Sequence, residues 1–272
     1  MITDRFRLDG SIALITGAGK GIGARIATVF AEMGADVVLA ARTESDLETV
    51  ANQVTALGRE ALTVACDVTD EEALKQLVAA TEERFGRLDI LVNNAGAPGK
   101  GYGSLKKVDK ARFEHTIDIN LTSAYTLTHL CLPLLKQSKA GAIVNVSSAL
   151  GWMVDRNFSA YAAAKAGMNQ MTKVMAYELA PTIRANAIAP GAIETPSTAF
   201  ITQDPQMLAD TVRWIPQQRL GQPDDIALAA LYLASSASGF VSGKVLEVDG
   251  GMVALPGSAI QATLAASQHS AQ

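Results

Sequence analysis

The sequence predicts an α/β protein built on one doubly wound parallel sheet of about seven strands, with helices on both faces. Three observations predict this class. Short apolar runs alternate with longer amphipathic runs, a glycine-rich turn follows the first apolar run, and no change of composition divides the 272 residues. Parallel neighbouring strands need long crossover connections, and the helices that make them cover the sheet on both sides. We therefore expect a single domain.

The apolar and amphipathic runs set the expected elements in order. Runs of about four to eight β-branched and apolar residues are typical of buried strands, whereas apolar residues at helical spacing indicate helices. The predicted strands cover residues 12–16, 37–41, 62–66, 90–93, 142–147, 184–189 and 244–248. The predicted helices cover residues 22–33, 45–57, 71–85, 111–135, 161–178 and 222–233.

One long segment interrupts this alternation. Residues 192–220 are rich in Pro, Thr and Gln and carry Phe200, Met207 and Trp214 at intervals. Long insertions without strands often serve as lids, so we expect a substrate-binding lid within a domain of residues 1–255. An ordinary pair of surface helices is the alternative. The segment that follows, residues 256–272, is expected to be a frayed C-terminal tail.

Composition and charge argue against several classes of function. Hydrophobic residues make up 49% and charged residues 18%, which suits a large packed core. The net charge of −4, without a marked basic patch, argues against a nucleic-acid partner. No apolar run could span a membrane and no signal-peptide pattern is visible, so we expect a cytoplasmic protein without a membrane partner. Cys66 and Cys131 lack metal-ligand spacing, which predicts free thiols and no metal site.

A glycine-rich turn between the first strand and the first helix predicts a dinucleotide site. Residues 16–23 have the sequence Thr-Gly-Ala-Gly-Lys-Gly-Ile-Gly. Glycines allow a tight turn and let backbone N–H groups approach a phosphate, and the helix N-terminus favours a pyrophosphate through its dipole. The expected phosphate-binding residues are Gly17, Gly19, Gly21, Ile22 and Gly23.

The end of the second strand predicts which dinucleotide is bound. Proteins that bind NAD commonly place a carboxylate there, whereas this chain has Ala41 followed by Arg42. Arg42 can pair with the 2′-phosphate of NADP, and Lys20 can add a second positive charge. The alternative is that both are solvated surface charges. Asp67 is expected either to accept from the adenine amino group or to cap the next helix, where Asp70 competes.

Tyr161 and Lys165 form the most informative pair of residues in the chain. Positions four apart on a helix share a face, so the Lys165 ammonium is expected near the Tyr161 phenol. That charge is expected to lower the phenol pKa from its usual value of about 10. A phenol of lowered pKa can give or take a proton at a carbonyl or an alcohol. On its own such a pair is more often structural.

Further motifs accompany this pair. They are Thr16-Gly-xxx-Gly-Ile-Gly23, Asn93-Asn-Ala-Gly96, Asn120, Ser147-Ser148, Tyr161-xxx-Lys165 and Pro190-Gly191. Over about residues 8–252 the chain thereby resembles the short-chain dehydrogenase/reductase family. The resemblance implies a single Rossmann-type domain and an oxidoreductase that acts on CH–OH groups with NAD(P). The motifs are specific for the family and poorly specific for the substrate.

The resemblance implies roles for four catalytic residues. Tyr161 would be the general acid/base, and Lys165 would lower its pKa and hold the nicotinamide ribose hydroxyls. Ser148, thirteen residues before Tyr161, would hydrogen-bond the substrate oxygen, and Asn120 would anchor a water chain that relays protons through Lys165. The alternatives are that Ser147 and Ser148 cap a turn and that Asn120 is a helix-interior amide bonded to the backbone.

The resemblance also implies further cofactor contacts. Asn93 would line the cofactor cleft, the backbone of Ile193 would hold the nicotinamide carboxamide, and Thr195 would touch a phosphate. Outside the glycine turn, the complete expected set is Arg42, Asp67, Val68, Asn94, Ala95, Gly96, Tyr161, Lys165, Pro190, Gly191, Ile193 and Thr195.

These expectations combine into an NADP(H)-dependent oxidoreductase that interconverts a secondary alcohol and a ketone, with NAD less favoured. An apolar pocket rim favours a substrate of moderate, largely apolar bulk. The expected rim residues are Trp152, Met153, Phe158, Phe200 and Trp214. Residues 6–10 and 219–226 are similar to those of bacterial 7α-type hydroxysteroid dehydrogenases, 3-oxoacyl-carrier-protein reductases and gluconate-type dehydrogenases. A hydroxysteroid is therefore one expected instance.

Two other functions stay open at this point. A 3-oxoacyl-carrier-protein reductase would need positive charge at the mouth of the cleft. Four lysines can supply it, namely Lys100, Lys106, Lys107 and Lys110. A dinucleotide-binding sensor without turnover is the second alternative, although the intact Tyr and Lys pair disfavours it. The family mostly forms homotetramers, and the apolar helices at 111–135 and 161–178 are expected to make a dimer face. The alternative is that they are buried only within one subunit.

Overall fold

The computed structural model describes residues 1–252, in which seven parallel strands form one sheet in the order β3-β2-β1-β4-β5-β6-β7. The strands are β1 (Ile12–Thr16), β2 (Asp36–Ala41), β3 (Ala61–Ala65), β4 (Ile90–Asn93), β5 (Gly141–Val146), β6 (Ile183–Pro190) and β7 (Val245–Val248). Every residue of β1, β4 and β5 is buried, which explains why these strands are continuous apolar runs rather than alternating ones. The predicted fold class is confirmed. The expected tail at 256–272 lies outside the described residues.

Helices cover both faces of the sheet. They are α1 (Gly21–Glu32), α2 (Glu44–Ala56), α3 (Glu71–Phe85), α4 (Lys110–Ile117), α5 (Ser123–Leu135), α6 (Ser159–Glu178), α7 (Ala199–Thr202), α8 (Pro205–Val212) and α9 (Pro223–Ala234). Helices α1, α2 and α9 bury Phe30, Leu47 and Ile226 in one core, and α3 and α5 bury Leu74 and Leu127 in the other. Within residues 1–252, no helix is both long and apolar enough to cross a lipid bilayer.

The strand order places a crevice at the carboxyl end of the sheet. Strand β1 pairs with β2 on one side and with β4 on the other, so the chain reverses its direction of travel across the sheet between them. In open α/β sheets, ligands bind outside the carboxyl ends of the strands at such a point. Thr16 ends β1 and Asn93 ends β4, which makes the glycine-rich turn and the Asn-Asn-Ala-Gly segment neighbours.

The helix expected over residues 111–135 is wrong in one respect. The chain instead forms α4, a π-helical turn at Asp118–Thr122, and then α5. Asn120 lies in that turn, and its side-chain amide donates to the carbonyl oxygens of Ala97 at 2.7 Å and Thr116 at 2.9 Å. Single π turns within helices are frequent at functional sites. The spacing of apolar residues in the sequence does not reveal a π turn, because the helices before and after it each bury one face in the usual way.

The segment expected to be a lid leaves the sheet and returns to the same place. Residues 192–220 contain the short helices α7 and α8, and Asp204 caps α8 through its carboxylate. At the base of the segment the backbone N–H of Glu194 donates to the carbonyl oxygen of Gly221 at 2.8 Å. The segment therefore consists of two short helices whose ends are joined at the base, which agrees both with a lid and with an ordinary pair of surface helices. That it acts as a lid stays a prediction.

Candidate active site

The glycine-rich turn is tightly packed against the start of α1. Gly17 and Gly21 have φ angles of +64° and +56°, in the left-handed region where a side chain is disfavoured. A Cβ at Gly23 would collide with the carbonyl oxygen of Gly17, so this position also accepts only glycine. The turn consequently brings its backbone N–H groups and the N-terminus of α1 to the crevice, where a pyrophosphate fits.

Asn94 holds this turn in place. Its side-chain amide donates to the carbonyl oxygens of Thr16 at 2.9 Å and Gly17 at 3.3 Å. In return, the Thr16 hydroxyl accepts from the backbone N–H groups of Asn94 and Ala95, each at 3.0 Å. Asn94 and Ala95 were expected to contact the cofactor. In the structure both residues lie beside the glycine-rich turn, and the side-chain amide of Asn94 is used in hydrogen bonds that stabilise the turn.

At the adenosine end, one positive charge that was expected to be available is held in an ion pair. Arg42 follows β2 directly and is exposed. Lys20, expected as a second available positive charge, forms an ion pair with Asp46 at 2.9 Å. The carbon chain of Asp46 also lies against the turn, because a Cβ at Gly19 would be 2.9 Å from the Asp46 Cβ. The sequence analysis missed Asp46, although a carboxylate in the first turn of the helix after β2 was visible.

The alternatives for Asp67 are partly resolved. Asp70, and not Asp67, caps α3 by accepting from two backbone N–H groups. Asp67 instead accepts from the backbone N–H of Thr69 at 3.0 Å and from its hydroxyl at 2.7 Å. These hydrogen bonds lower the pKa of Asp67, and the positive charge of Arg42 lowers it further. An ionised carboxylate therefore lies near Arg42 at the mouth of the crevice, beside the largely buried Val68.

Lys165 is buried beneath Tyr161 on α6. Only 2% of Lys165 is exposed, its ammonium donates to the carbonyl oxygen of Val146 at 2.8 Å, and its nitrogen lies 5.5 Å from the centre of the Tyr161 ring. Burial lowers the pKa of Lys165 to about 7. Burial also raises the pKa of Tyr161 to about 12, and a hydrogen bond with Ser148 offsets part of that rise.

The expected direction of the Tyr161 pKa is therefore wrong for the protein alone. The spacing correctly places the ammonium beside the phenol, but burial disfavours the charged form of both groups. Near neutral pH Lys165 carries only part of a charge, so it does little to favour the phenolate. Tyr161 keeps its proton under these conditions.

Two neighbouring serines have different surroundings. The Ser148 hydroxyl caps a short 3-10 turn by accepting from the backbone N–H of Leu150 at 3.2 Å, and it reaches the Tyr161 phenol. Ser147 is buried, and its hydroxyl donates to the carbonyl oxygen of Lys165 at 3.2 Å. The turn-capping alternative thus describes Ser148 correctly but does not exclude its position beside Tyr161.

Asn120 and Lys165 meet at Gly96. Asn120 is fully buried, and its Oδ1 atom has no hydrogen-bond partner within the described part of the chain. A Cβ at Gly96 would lie 2.6 Å from Asn120 Oδ1 and 3.2 Å from Lys165 Nζ. The backbone-bonded alternative accounts for the Asn120 amide nitrogen and leaves its oxygen unexplained. A polar acceptor and an ammonium therefore face the same point at the crevice.

Asn93 was expected to line the cofactor cleft, but the structure buries its side chain behind the sheet. It is 3% exposed, and its amide donates to Thr128 Oγ1 at 3.1 Å and to Asn145 Oδ1 at 2.9 Å. Asn145 continues the chain of hydrogen bonds to the hydroxyl of Thr172 at 2.9 Å. These buried amides link β4 and β5 to the helices behind the sheet. The motif is therefore structural at its first position.

The chain after β6 runs from the sheet to the glycine-rich turn. The Gly191 N–H donates to the carbonyl oxygen of Val248 at 3.1 Å, just after Pro190 ends the strand. Ile193 is 5% exposed. The methyl group of Thr195 would lie 3.3 Å from a Cβ at Gly21. The structure thus places this segment along one wall of the crevice.

Three of the expected rim side chains come from two segments, Trp152 and Phe158 from the loop after β5 and Phe200 from α7. Trp152 and Phe200 are 38% and 59% exposed, and Phe158 lies 6.2 Å from Tyr161 between ring centres. Tyr102, on the loop after β4, packs edge-on against Phe158 at 5.0 Å. The sequence analysis missed Tyr102, because nothing in the sequence shows which loops meet.

Neither of two surface cavities is lined by Asn120, Ser148, Tyr161 or Lys165. The larger, of about 640 Å³, runs between α1, α2 and α9 and includes Gly21 and Arg25 in its lining. The smaller, of about 330 Å³, is lined in part by Ile193 and Asp249. Tyr161 lines neither of them, so the site is assigned from the convergence of its chemical groups and not from cavity size.

The residues of this crevice fit a bound dinucleotide. The glycine-rich turn offers backbone donors at a helix N-terminus, and Asn120 Oδ1 and Lys165 Nζ provide polar atoms at the opposite end. Lys165, Gly191 and Ile193 would hold the nicotinamide end, and Arg42 and Asp67 the adenosine end.

Comparison with known proteins agrees with this geometry. A family model described as enoyl-(acyl carrier protein) reductase matches residues 17–253. An uncharacterised oxidoreductase of Mycobacterium tuberculosis (strain CDC 1551 / Oshkosh) is 44% identical, covering 93% of this chain and 95% of the relative. A 3-oxoacyl-[acyl-carrier-protein] reductase of Thermotoga maritima is 36% identical, covering 91% and 99%. A solved 7α-hydroxysteroid dehydrogenase complexed with NADH and 7-oxo glycochenodeoxycholic acid has a TM-score of 0.87 at 38% identity, covering 92% and 96%.

Proposed function

The chain belongs to the short-chain dehydrogenase/reductase family of NAD(P)-dependent oxidoreductases that act on CH–OH groups, and on that premise we propose that it interconverts a ketone and a secondary alcohol of moderate, largely apolar bulk with NADP(H). One observation carries the proposal. The Tyr161 phenol, the Ser148 hydroxyl and the Lys165 ammonium converge at the carboxyl end of the sheet, next to the phosphate-binding turn.

The proposed roles follow from the protonation states. When bound in this crevice, a nicotinamide dinucleotide would supply the hydride for reduction of the substrate carbon, or accept it in oxidation. Because Tyr161 holds its proton near neutral pH, it can donate that proton to the carbonyl oxygen during reduction, while Ser148 donates a hydrogen bond to the same oxygen. Lys165 and the free oxygen of Asn120 then offer a route by which Tyr161 regains a proton through water. Alcohol oxidation is the reverse.

The preference for NADP(H) is proposed from the charges at the adenosine end. No carboxylate occupies the end of β2, and Arg42 has no ion-pair partner within residues 1–252. Arg42 can therefore pair with a 2′-phosphate. The ion pair of Lys20 with Asp46 does not remove Lys20 from this site, since the Lys20 side chain is exposed, Asp46 is only partly buried, and ion pairs near the surface contribute on the order of 1 kcal/mol and can exchange partners.

The substrate class is proposed from the rim. Phe158 places an aromatic ring beside Tyr161, and Trp152 and Phe200 are large apolar side chains that stay exposed, which suits a bulky apolar ketone better than a free sugar. The 7α-hydroxysteroid dehydrogenase of similar structure was solved with NADH and 7-oxo glycochenodeoxycholic acid. A hydroxysteroid is accordingly one instance of the proposed class.

A second candidate function is 3-oxoacyl-carrier-protein reduction. Lys100, Lys106 and Lys107 are exposed on the loop that carries Tyr102, whereas Lys110 pairs with Glu114 at 3.4 Å. Positive charge on that loop would favour an acidic carrier protein. The relative from Thermotoga maritima carries this name.

We also propose that the protein assembles as a homotetramer. Helices α5 and α6 expose Tyr125, Val174 and Tyr177 at 57%, 45% and 88%. Apolar and aromatic side chains on long helices are suited to a symmetric interface.

The proposed function is tested by measuring NADPH oxidation, through the change in absorbance, with each member of a panel of apolar ketones, 3-oxoacyl thioesters and sugars. Oxidation that depends on an apolar ketone is expected. Dinucleotide binding without oxidation by any member would contradict turnover and favour the sensor alternative. Faster turnover of the thioesters would favour the carrier-protein alternative.

A further inference from the structure

Three aromatic rings form a continuous series that ends at the proposed acid/base. Tyr102 contacts Phe158 edge-on, with ring centres 5.0 Å apart and planes at 68°. Phe158 in turn meets Tyr161 at 6.2 Å and 61°. Both geometries lie within the range that aromatic pairs prefer. Phe158 thus connects the ring of Tyr102 to that of Tyr161.

The two loops that carry these rings are fixed to each other. The backbone N–H of Gly103 donates to the carbonyl oxygen of Asn157 at 2.9 Å, so the residues next to Tyr102 and Phe158 are joined directly. Asn157 has a φ of 71°, in the left-handed region that asparagine tolerates better than most other residues do, so it can turn the loop sharply at this point.

The base of the Tyr102 loop is equally constrained. A Cβ at Gly101 would collide with the Thr116 hydroxyl and would lie 3.1 Å from the Ala160 Cβ, one residue before Tyr161. The loop is thereby packed against both α4 and α6. The position of Tyr102 relative to Tyr161 is set by the fold and does not depend on a bound molecule.

Packing within the protein covers the ring of Tyr102 only in part. The ring lies edge-on against Phe158, yet Tyr102 is 55% exposed and belongs to neither core, although its neighbour Gly101 is buried. A large aromatic side chain that stays exposed and is one ring away from Tyr161 can offer its free surface to a ligand.

We propose that Tyr102 and Phe158 form an aromatic wall that selects cyclic ketones and alcohols over linear ones, with Tyr102 as the specificity-determining residue. The inference rests on the proposed function and narrows its substrate class. A rigid ring can pack against the wall without losing internal freedom, whereas a linear chain must freeze several bonds to make the same contact. The wall raises affinity for the substrate and leaves proton transfer to Tyr161.

The test compares Tyr102→Leu with the wild type on α-tetralone, a cyclic aromatic ketone, and 2-octanone, a linear ketone. The leucine variant keeps apolar bulk but loses the ring. We expect KM for α-tetralone to rise about fivefold, since a ring contact of this kind contributes about 1 kcal/mol, with kcat little changed. KM for 2-octanone should change less than about twofold. For a ketone that is not turned over, its competitive inhibition constant against a working substrate replaces KM.

Two further variants make the result specific. Tyr102→Phe should behave as the wild type, because the ring and not the hydroxyl makes the contact. Leu105→Ala removes an 84% exposed apolar side chain from the same loop and should leave both ketones unaffected. Equal loss for cyclic and linear ketones, or an unchanged KM for α-tetralone in Tyr102→Leu, would overturn the proposal. Failure of the wild type to oxidise NADPH with any ketone would instead reject the proposed function.

Discussion

The ammonium nitrogen of Lys165 lies 5.5 Å from the centre of the Tyr161 ring and is hydrogen-bonded to the carbonyl oxygen of Val146. The lysine is therefore tied to the end of β5 and not only to its neighbour on the helix. This link fixes the relative positions of sheet and helix at the point where the proposed chemistry takes place. Burial of both groups then sets their protonation near neutral pH.

The lowered pKa of Lys165 predicts a pH-dependent stability. The side chain has a pKa of 10.5 when unfolded and about 7 when folded. Between these values the unfolded chain binds a proton that the folded chain does not, so this group makes the free energy of unfolding rise with pH. Below about pH 7 both states are protonated and the dependence ends. Urea unfolding without cofactor should show the wild type gaining stability relative to Lys165→Met as pH rises from about 7 to about 10.

Lys173→Met is the matched control for that experiment, because Lys173 is exposed on the same helix. It should follow the wild type at every pH. Parallel curves for Lys165→Met and the wild type would show that Lys165 is not desolvated.

The two serines after β5 should differ in their effect on turnover. Ser148→Ala removes the hydroxyl that reaches Tyr161, and we expect turnover to fall at least about tenfold, as for loss of a hydrogen-bond donor to a developing oxyanion. Ser147→Ala removes a hydrogen bond to the Lys165 carbonyl and should lower the melting temperature while leaving kcat near that of the wild type. Steady-state kinetics on one ketone compare them. A larger loss of kcat in Ser147→Ala would reverse the assignment.

Arg42 should control the choice of dinucleotide. Hydrogen bonds to a charged phosphate contribute about 1.5–3 kcal/mol, so Arg42→Ala should lower the ratio of kcat/KM for NADPH to that for NADH by about tenfold or more. Activity with NADH is the internal control, because NADH lacks the 2′-phosphate. An unchanged ratio, or a wild type that prefers NADH, would refute the proposed NADP preference.

In the wild type, the Asp46 carboxylate is expected to weaken NADPH binding, because it holds the Lys20 ammonium in an ion pair. In Asp46→Asn the Lys20 ammonium loses its partner and is available to the 2′-phosphate. Because an ion pair near the surface with one exposed partner contributes on the order of 1 kcal/mol, the affinity for NADPH relative to NADH should rise by up to about fivefold. Fluorescence titration measures both, and Glu48→Gln on the same helix is the control. Weaker NADPH binding in Asp46→Asn would mean that the ion pair instead positions Lys20 for the phosphate.

Much of the fold follows from local signals. The glycine-rich turn requires a strand before it and a helix after it, and the continuous apolar runs match strands buried on both faces. The strand at Ile90–Asn93 and the helix at Glu71–Phe85 agree with the sequence at both ends. Asp70, a helix cap, marks where that helix begins.

The details that the sequence did not predict depend on contacts between distant segments. The π turn at Asn120 is stabilised by a hydrogen bond to Ala97, 23 residues earlier. The pairing of Lys20 with Asp46 and of Tyr102 with Phe158 likewise joins segments that are distant in sequence. The pKa of Tyr161 depends on how deeply its helix is buried, which residue spacing does not specify.

The central claim is tested most directly by the turnover of Tyr161→Phe with NADPH and a ketone that the wild type reduces. Tyr177→Phe, which changes an 88% exposed tyrosine on the same helix, serves as the comparison. We expect Tyr161→Phe to bind NADPH within a few-fold of the wild type and to turn over at least about a hundredfold more slowly, since it keeps the ring and loses the proton donor. Turnover of Tyr161→Phe close to that of Tyr177→Phe would contradict the assignment.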